Sequence, residues 1–129
     1  MTYVASAPQS YAGQVVGSGQ CVAFVETACK APLTANWRQG AKVKGDVSIP
    51  PGTAIATFDP NALYGNHTDG RSHGAIYMGQ DAGGIWVWDQ WLGQPAHMRT
   101  IRFQGDPSPA GILHVNNGDF FFVVNGPES

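Results

Sequence analysis

The sequence predicts an α+β domain in which one N-terminal helix packs on a mostly antiparallel sheet of five or six strands. Three observations lead there. An apolar stretch with helical spacing, Val22, Ala23, Phe24, Val25 and Ala28, follows a glycine-rich turn and stops at Pro32. Short runs of β-branched and aromatic residues, separated by turn residues, fill the second half of the chain. The composition, with 17 glycines, 9 prolines and only 12% charged residues, suits a turn-rich β protein better than a helical bundle. At 129 residues, one hydrophobic core is expected.

Residues 1–16 are mostly small and polar, with Tyr3 and Tyr11 as the large side chains. They are expected to form an arm packed loosely on a domain of residues 17–129. Gly17-Ser18-Gly19 turns the backbone tightly, and the helix spans about residues 19–30 with Ser18 as its cap. A short helical turn is expected at 34–39 around Trp37, while 42–47 carries no clear pattern. Ile49-Pro50-Pro51-Gly52 is a turn that leads into a strand at 53–58. Residues 59–72 are a long loop rich in Gly, Asn and Asp, and loops of that length in compact domains are often functional. Two strands at 73–79 and 85–91 form a hairpin, and 98–103 adds a third. A last hairpin is expected from 112–115 and 119–124 around Asn116-Asn117-Gly118.

Several classes of function are disfavoured. A net charge of −2 supplies no basic field for nucleic acid or an anionic membrane. No apolar run is long enough for membrane insertion. The first basic residue is Lys30, so the basic start of a secretory signal is missing and synthesis in the cytoplasm without a signal peptide is expected. Gly17-Ser18-Gly19 is not a dinucleotide fingerprint, because Val22 occupies the third glycine position. The cysteines and histidines lack zinc-site spacing, so neither metal nor cofactor is expected. Cys21 and Cys29 on one helix would lie about 12 Å apart, too far for a disulfide, which leaves two free thiols.

The arrangement around Cys21 points to nucleophilic catalysis. In the first helical turn, unpaired N–H groups and the helix dipole favour thiolate over thiol and can hold an oxyanion. No acidic residue precedes Glu26 to oppose this. Such a nucleophile needs a base and a group to orient the base. His73 opens the strongest predicted strand, whereas His67 lies in the loop, His97 follows Pro95 and His114 sits in the last hairpin. Alternation along 85–91 puts Ile85, Val87, Asp89 and Trp91 on one face and Trp86, Trp88 and Gln90 on the other. Asp89 is the acid in this strand, suited to an imidazole N–H. Blander readings stand beside these. Cys21 can be a small core residue, Asp89 a solvated turn residue, and Trp86, Trp88 and Trp91 core or a sugar-binding platform.

Gly19-Gln20-Cys21-Val22-Ala23-Phe24-Val25 resembles the nucleophile motif of CHAP domains, the cysteine- and histidine-dependent amidohydrolases/peptidases. The resemblance continues in order through Trp37 with Gly40-Ala41, then 51–58, then His73-Gly74-Ala75-Ile76-Tyr77, then Val87-Trp88-Asp89-Gln90-Trp91, and covers about residues 17–103. It implies the papain-like fold shared with NlpC-type cell-wall peptidases, with Cys21, His73 and Asp89 as the catalytic groups. It also implies cleavage of peptidoglycan amide bonds. Gln20 is expected at the oxyanion position, with Gln90 beside the reacting groups and Trp37, Tyr64 and Trp91 contacting substrate. The chain is similar, too, to small type VI secretion amidase effectors. That likeness implies delivery to a target-cell periplasm, a peptidoglycan stem peptide as substrate and an immunity protein as partner. Asp89 stands where the family has Glu, and Trp91 where it has Asn. A glutamine deamidase or transglutaminase-like toxin would use the same residues, and an impaired domain would keep only glycan or protein binding.

Overall fold

The computed structural model describes residues 1–127. Among these, six strands form one antiparallel sheet: β1 (Arg38–Lys42), β2 (Thr53–Ala56), β3 (Gly74–Gln80), β4 (Gly84–Trp91), β5 (Gln94–Arg102) and β6 (Phe122–Asn125). Their order across the sheet is β1-β6-β2-β3-β4-β5. A nine-residue helix, α1 (Cys21–Cys29), lies on one face. No helix is long and apolar enough to cross a membrane among the described residues.

Alternation along the strands builds two cores, one on each face. Ala54, Ala56 and Ile76 face α1 and pack with Phe24, Val25 and Trp37. Ile55, Tyr77, Ile85, Val87 and Ile101 face the other way and pack with Phe121. The helix side is built from small residues so that α1 can sit close. A Cβ on Gly74 would lie 3.3 Å from the Trp37 ring and 3.5 Å from Val25. Phe24 and Trp37 are fully buried, and each such side chain contributes on the order of 2–3 kcal/mol by leaving water.

The segment entering α1 is fixed by the sheet. Gly19 takes φ +88°, a conformation glycine adopts without strain, and its N–H bonds the Val16 carbonyl at 3.0 Å. Gln90, fully buried on the α1 side of β4, donates to the Val16 and Gln20 carbonyls at 2.8 and 2.9 Å and accepts the Val16 N–H at 3.0 Å. Ser18 does not cap the helix as expected. Gln20 is the N-cap, no side chain caps it, and the Ser18 hydroxyl instead takes the Gln20 N–H at 3.4 Å. The first-turn N–H groups of α1 are therefore left for another partner.

Four expectations are corrected. Residues 1–16 are not a loose arm. Thr2 bridges Asn125, Val4 bridges Thr53, and Ala5, Pro8 and Val16 are buried. The helical turn expected at 34–39 is confined to a 3₁₀ turn at Thr34–Asn36, and Arg38–Lys42 is an edge strand. Its polar sequence has no strand pattern and is held extended by pairing with β6. The final hairpin does not form. Residues 114–116 and 118–120 are short 3₁₀ turns, and only Phe122–Asn125 is a strand. Asn117 is the reason: its buried amide accepts from Gln104 and Asp119 N–H and donates to Gly105 and Ser108, so it staples loops instead of turning a hairpin. Trp37, expected against substrate, is core, with its indole N–H on the Pro32 carbonyl at 2.9 Å.

Gln90→Leu fills the same space but strands three buried backbone groups. It should destabilise the domain by at least about 2 kcal/mol in chemical denaturation. A loss below about 0.5 kcal/mol would mean that the Gln90 clamp does not fix the segment before α1.

Candidate active site

A cleft of about 420 Å³ opens where the N-terminus of α1, the 59–72 loop and the ends of β3, β4 and β5 meet. Gln20, Cys21, Tyr64, His73, Trp91 and Arg99 line it. Cys21 is the first residue of α1 and is half-buried, while Cys29 at the other end is buried; both thiols are free. Sequence puts Cys21 at this spot through the Gly19 turn, the Gln90 clamp and the apolar stripe that docks α1.

His73 immediately precedes β3, is buried, and is pinned by its N–H on the Thr57 hydroxyl at 3.0 Å. Its Nε2 lies 2.8 Å from Asp89 Oδ2. Since Nε2 is occupied, Nδ1 is the ring nitrogen left for the thiol. Asp89 has no exposed surface. The same Oδ2 accepts from Arg99 Nε at 2.9 Å and lies in ion-pair contact with Nη2 at 2.8 Å. His97 Nε2 approaches the other oxygen, Oδ1, at 3.1 Å but is too poorly aligned to bond it, so both atoms lack a hydrogen-bond partner. The strand register explains the cluster. Asp89 pairs with His97 across β4 and β5, and Arg99 is the next residue on that face.

The three groups shift one another's ionisation. Burial works against the Cys21 anion, but the His73 hydrogen bond and charge, the Gly74 N–H and the Tyr64 hydroxyl outweigh it and hold the thiol below its usual value. Burial likewise disfavours the His73 cation, yet Asp89 and the Cys21 sulfur raise its pKa to about 9. Asp89 stays below the usual carboxylate range despite its burial, because His73 and Arg99 face it. Both shifts run in the direction of a thiolate–imidazolium pair. Cys29, desolvated without such partners, is pushed up to about 12.

The remaining expected residues divide. Gln20 is exposed at the cleft, beside the uncapped N–H groups of α1. Tyr64, from the loop, is mostly buried against Trp37 and puts its hydroxyl 3.9 Å from the Cys21 sulfur, so it touches the thiol as well as forming the wall. Trp91 lies in the cleft, 40% exposed, edge-on to His73 and His97 and beneath the Arg99 guanidinium at 4.9 Å. Gln90 and Trp37 are withdrawn from the reacting groups: one clamps backbone, the other fills the core. The tryptophans form no common platform, since Trp88 packs on the α1 side and Trp91 lies on the opposite face. Arg99, and the approach of His97 to Asp89, were missed. The signal was there in the alternation of His97, Arg99 and Ile101, once β5 is started at Gln94 rather than 98.

Iodoacetamide at about pH 6 should label Cys21 and spare Cys29 in the folded protein, and His73→Ala should slow Cys21 labelling by tenfold or more. Peptide mapping by mass spectrometry reads both, and preferential labelling of Cys29 would contradict the ion pair.

The helix on an antiparallel sheet is the arrangement of papain-like hydrolases. A solved structure of a type 6 secretion amidase effector 2 (Tae2) superposes with a TM-score of 0.82 at 35% identity, covering 96% of this chain and 94% of that one. The type VI secretion amidase effector 2 protein of Salmonella typhi is 38% identical over 113 residues, which is 81% of this chain and 84% of that protein. The domesticated amidase effector 2 of the tick Ixodes scapularis is 36% identical over 127 residues, 92% of this chain and 82% of that protein. With its residues 1–124 matching the family described as domesticated amidase effector 2, the chain belongs to that family of amidase effectors.

Proposed function

We propose that the protein is a cysteine amidase that cleaves peptide amide bonds of bacterial peptidoglycan. The observation that carries this reading is the line of thiol, imidazole and buried carboxylate at an uncapped helix N-terminus. The Cys21 thiolate attacks the amide carbonyl, and the negative charge moves to the carbonyl oxygen near the first-turn N–H groups of α1 and Gln20. His73 gives its Nδ1 proton to the leaving amine as the C–N bond breaks. The neutral ring then takes a proton from water, whose oxygen attacks the thioester and releases the acid and the thiolate. Asp89 holds the ring by Nε2 throughout and stabilises its cationic form.

The relatives' names supply the biological frame: each is called an amidase effector, and two are tied by name to type VI secretion. A peptidoglycan substrate lies outside the inner membrane of a Gram-negative cell, so a secretion system would have to deliver the protein to a rival's periplasm. A producing cell would need an immunity protein to block the cleft. The kinship with CHAP and NlpC-type peptidases is supported by the order Cys21, His73, Asp89 along the chain, nucleophile on helix and base on sheet. Asp89 reaches His73 directly without the longer Glu side chain, and Trp91 supplies no hydrogen bond to the ring.

After incubation of purified sacculi with the wild type, muramidase digestion should yield new, peptide-cleaved muropeptides, and Cys21→Ala should yield none of them. Intact sacculi after prolonged digestion with folded, thiol-reduced protein would overturn the proposal. A second outcome follows from the raised pKa of His73. The leaving amine needs the imidazolium, so kcat/KM should fall as pH rises through about 9. Asp89→Asn removes the anion beside the ring, so it should move that alkaline limb toward neutrality and lower turnover by about 100-fold. An unmoved limb would remove Asp89 from this role.

A further inference from the structure

Arg99 is the side chain of permanent charge on the cleft wall, and no lining residue is acidic. Its side chain is 24% exposed. A guanidinium carries five N–H donors; Nε spends its own on Asp89 Oδ2, and Nη2 lies in ion-pair contact with the same oxygen. The other donors have no protein partner among the described residues. Trp91 lies under the guanidinium at 4.9 Å and fixes its place. Holding Asp89 explains one edge of the group. The remaining donors, at a cleft wall that carries no carboxylate, form the fork that matches a carboxylate in bidentate geometry.

We infer that Arg99 recognises a free carboxylate of the substrate peptide on the His73 side of the scissile amide. The inference rests on the amidase reading and narrows it to anionic peptides. Arg99 then has two tasks separable by kinetics. Its bond to Asp89 acts on turnover of every substrate, through the orientation of His73. Its free donors act on the binding of acidic substrates only. Trp91 stacks beneath it as a positioning residue, which gives the aromatic side chain a use that an asparagine there would not have.

The test uses muropeptides released from sacculi by a muramidase, as free acids and after carbodiimide-mediated amidation with ammonia. In the wild type, amidation should raise KM by about tenfold or more. Arg99→Gln should lower kcat on both forms alike and bring their KM values within about twofold of each other. Arg99→Lys, which keeps the charge but loses the fork, should retain part of the discrimination. Equal KM for acid and amide in the wild type overturns the inference while leaving the amidase reading intact, whether or not the variants fold. Undiminished discrimination in folded Arg99→Gln overturns the assignment to this residue. Cleavage of neither form by the wild type overturns the amidase reading and this inference with it.

Discussion

A carboxylate with no exposed surface lies at the centre of the molecule's chemistry. Buried charge is costly unless opposite charge and hydrogen bonds surround it. Asp89 meets that condition with His73 and Arg99 on one oxygen and His97 near the other. The consequences spread outward. The Arg99 guanidinium is held against the ring of Trp91. The His73 ring is fixed by Nε2, its cation is favoured, and through it the Cys21 thiol is biased toward the anion. In the proposed mechanism one carboxylate with an arginine behind it orients the imidazole.

Strand β4 holds both His73 and the N-terminus of α1. Asp89 reaches His73 from one face, while the next residue, Gln90, reaches through the opposite face to the carbonyl of Gln20, directly before Cys21. Consecutive strand residues point to opposite faces, so a single stretch of backbone sets the imidazole and the helix N-terminus relative to each other. The small residues Ala54, Ala56 and Gly74 beneath α1 serve the same end by letting the helix approach the sheet. On the proposed mechanism, turnover and stability are linked at adjacent positions, one by charge and the other by backbone hydrogen bonds.

The sequence made legible what local rules determine. The glycine turn and apolar stripe locate Cys21 at a helix start, and alternation separates Asp89 from Gln90. The opening of a strong strand marks His73. What stayed hidden depends on long-range pairing. The edge strand Arg38–Lys42 has no pattern of its own and exists because β6 is beside it. The N-terminal segment looks like an arm until Gly52 and Thr53 are seen to bind it. The place of Arg99 is hidden because His97 and Arg99 are polar on the face that turns inward to Asp89, so the apolar pattern of β5 does not show its first half, which starts at Gln94. Tyr64 reaches the thiol only through the path of a loop whose form is tertiary.

The central claim is that Asp89 keeps His73 as an imidazolium next to a thiolate. NMR titration of the His73 ring nitrogens tests it most directly, in the wild type and in Asp89→Asn. The ring should remain protonated through neutral pH and titrate near 9 in the wild type, with its Nε2 proton bonded to carboxylate, and should titrate distinctly lower in the variant. A wild-type ring that titrates near 6.5, or one that Asp89→Asn leaves unmoved, would contradict it.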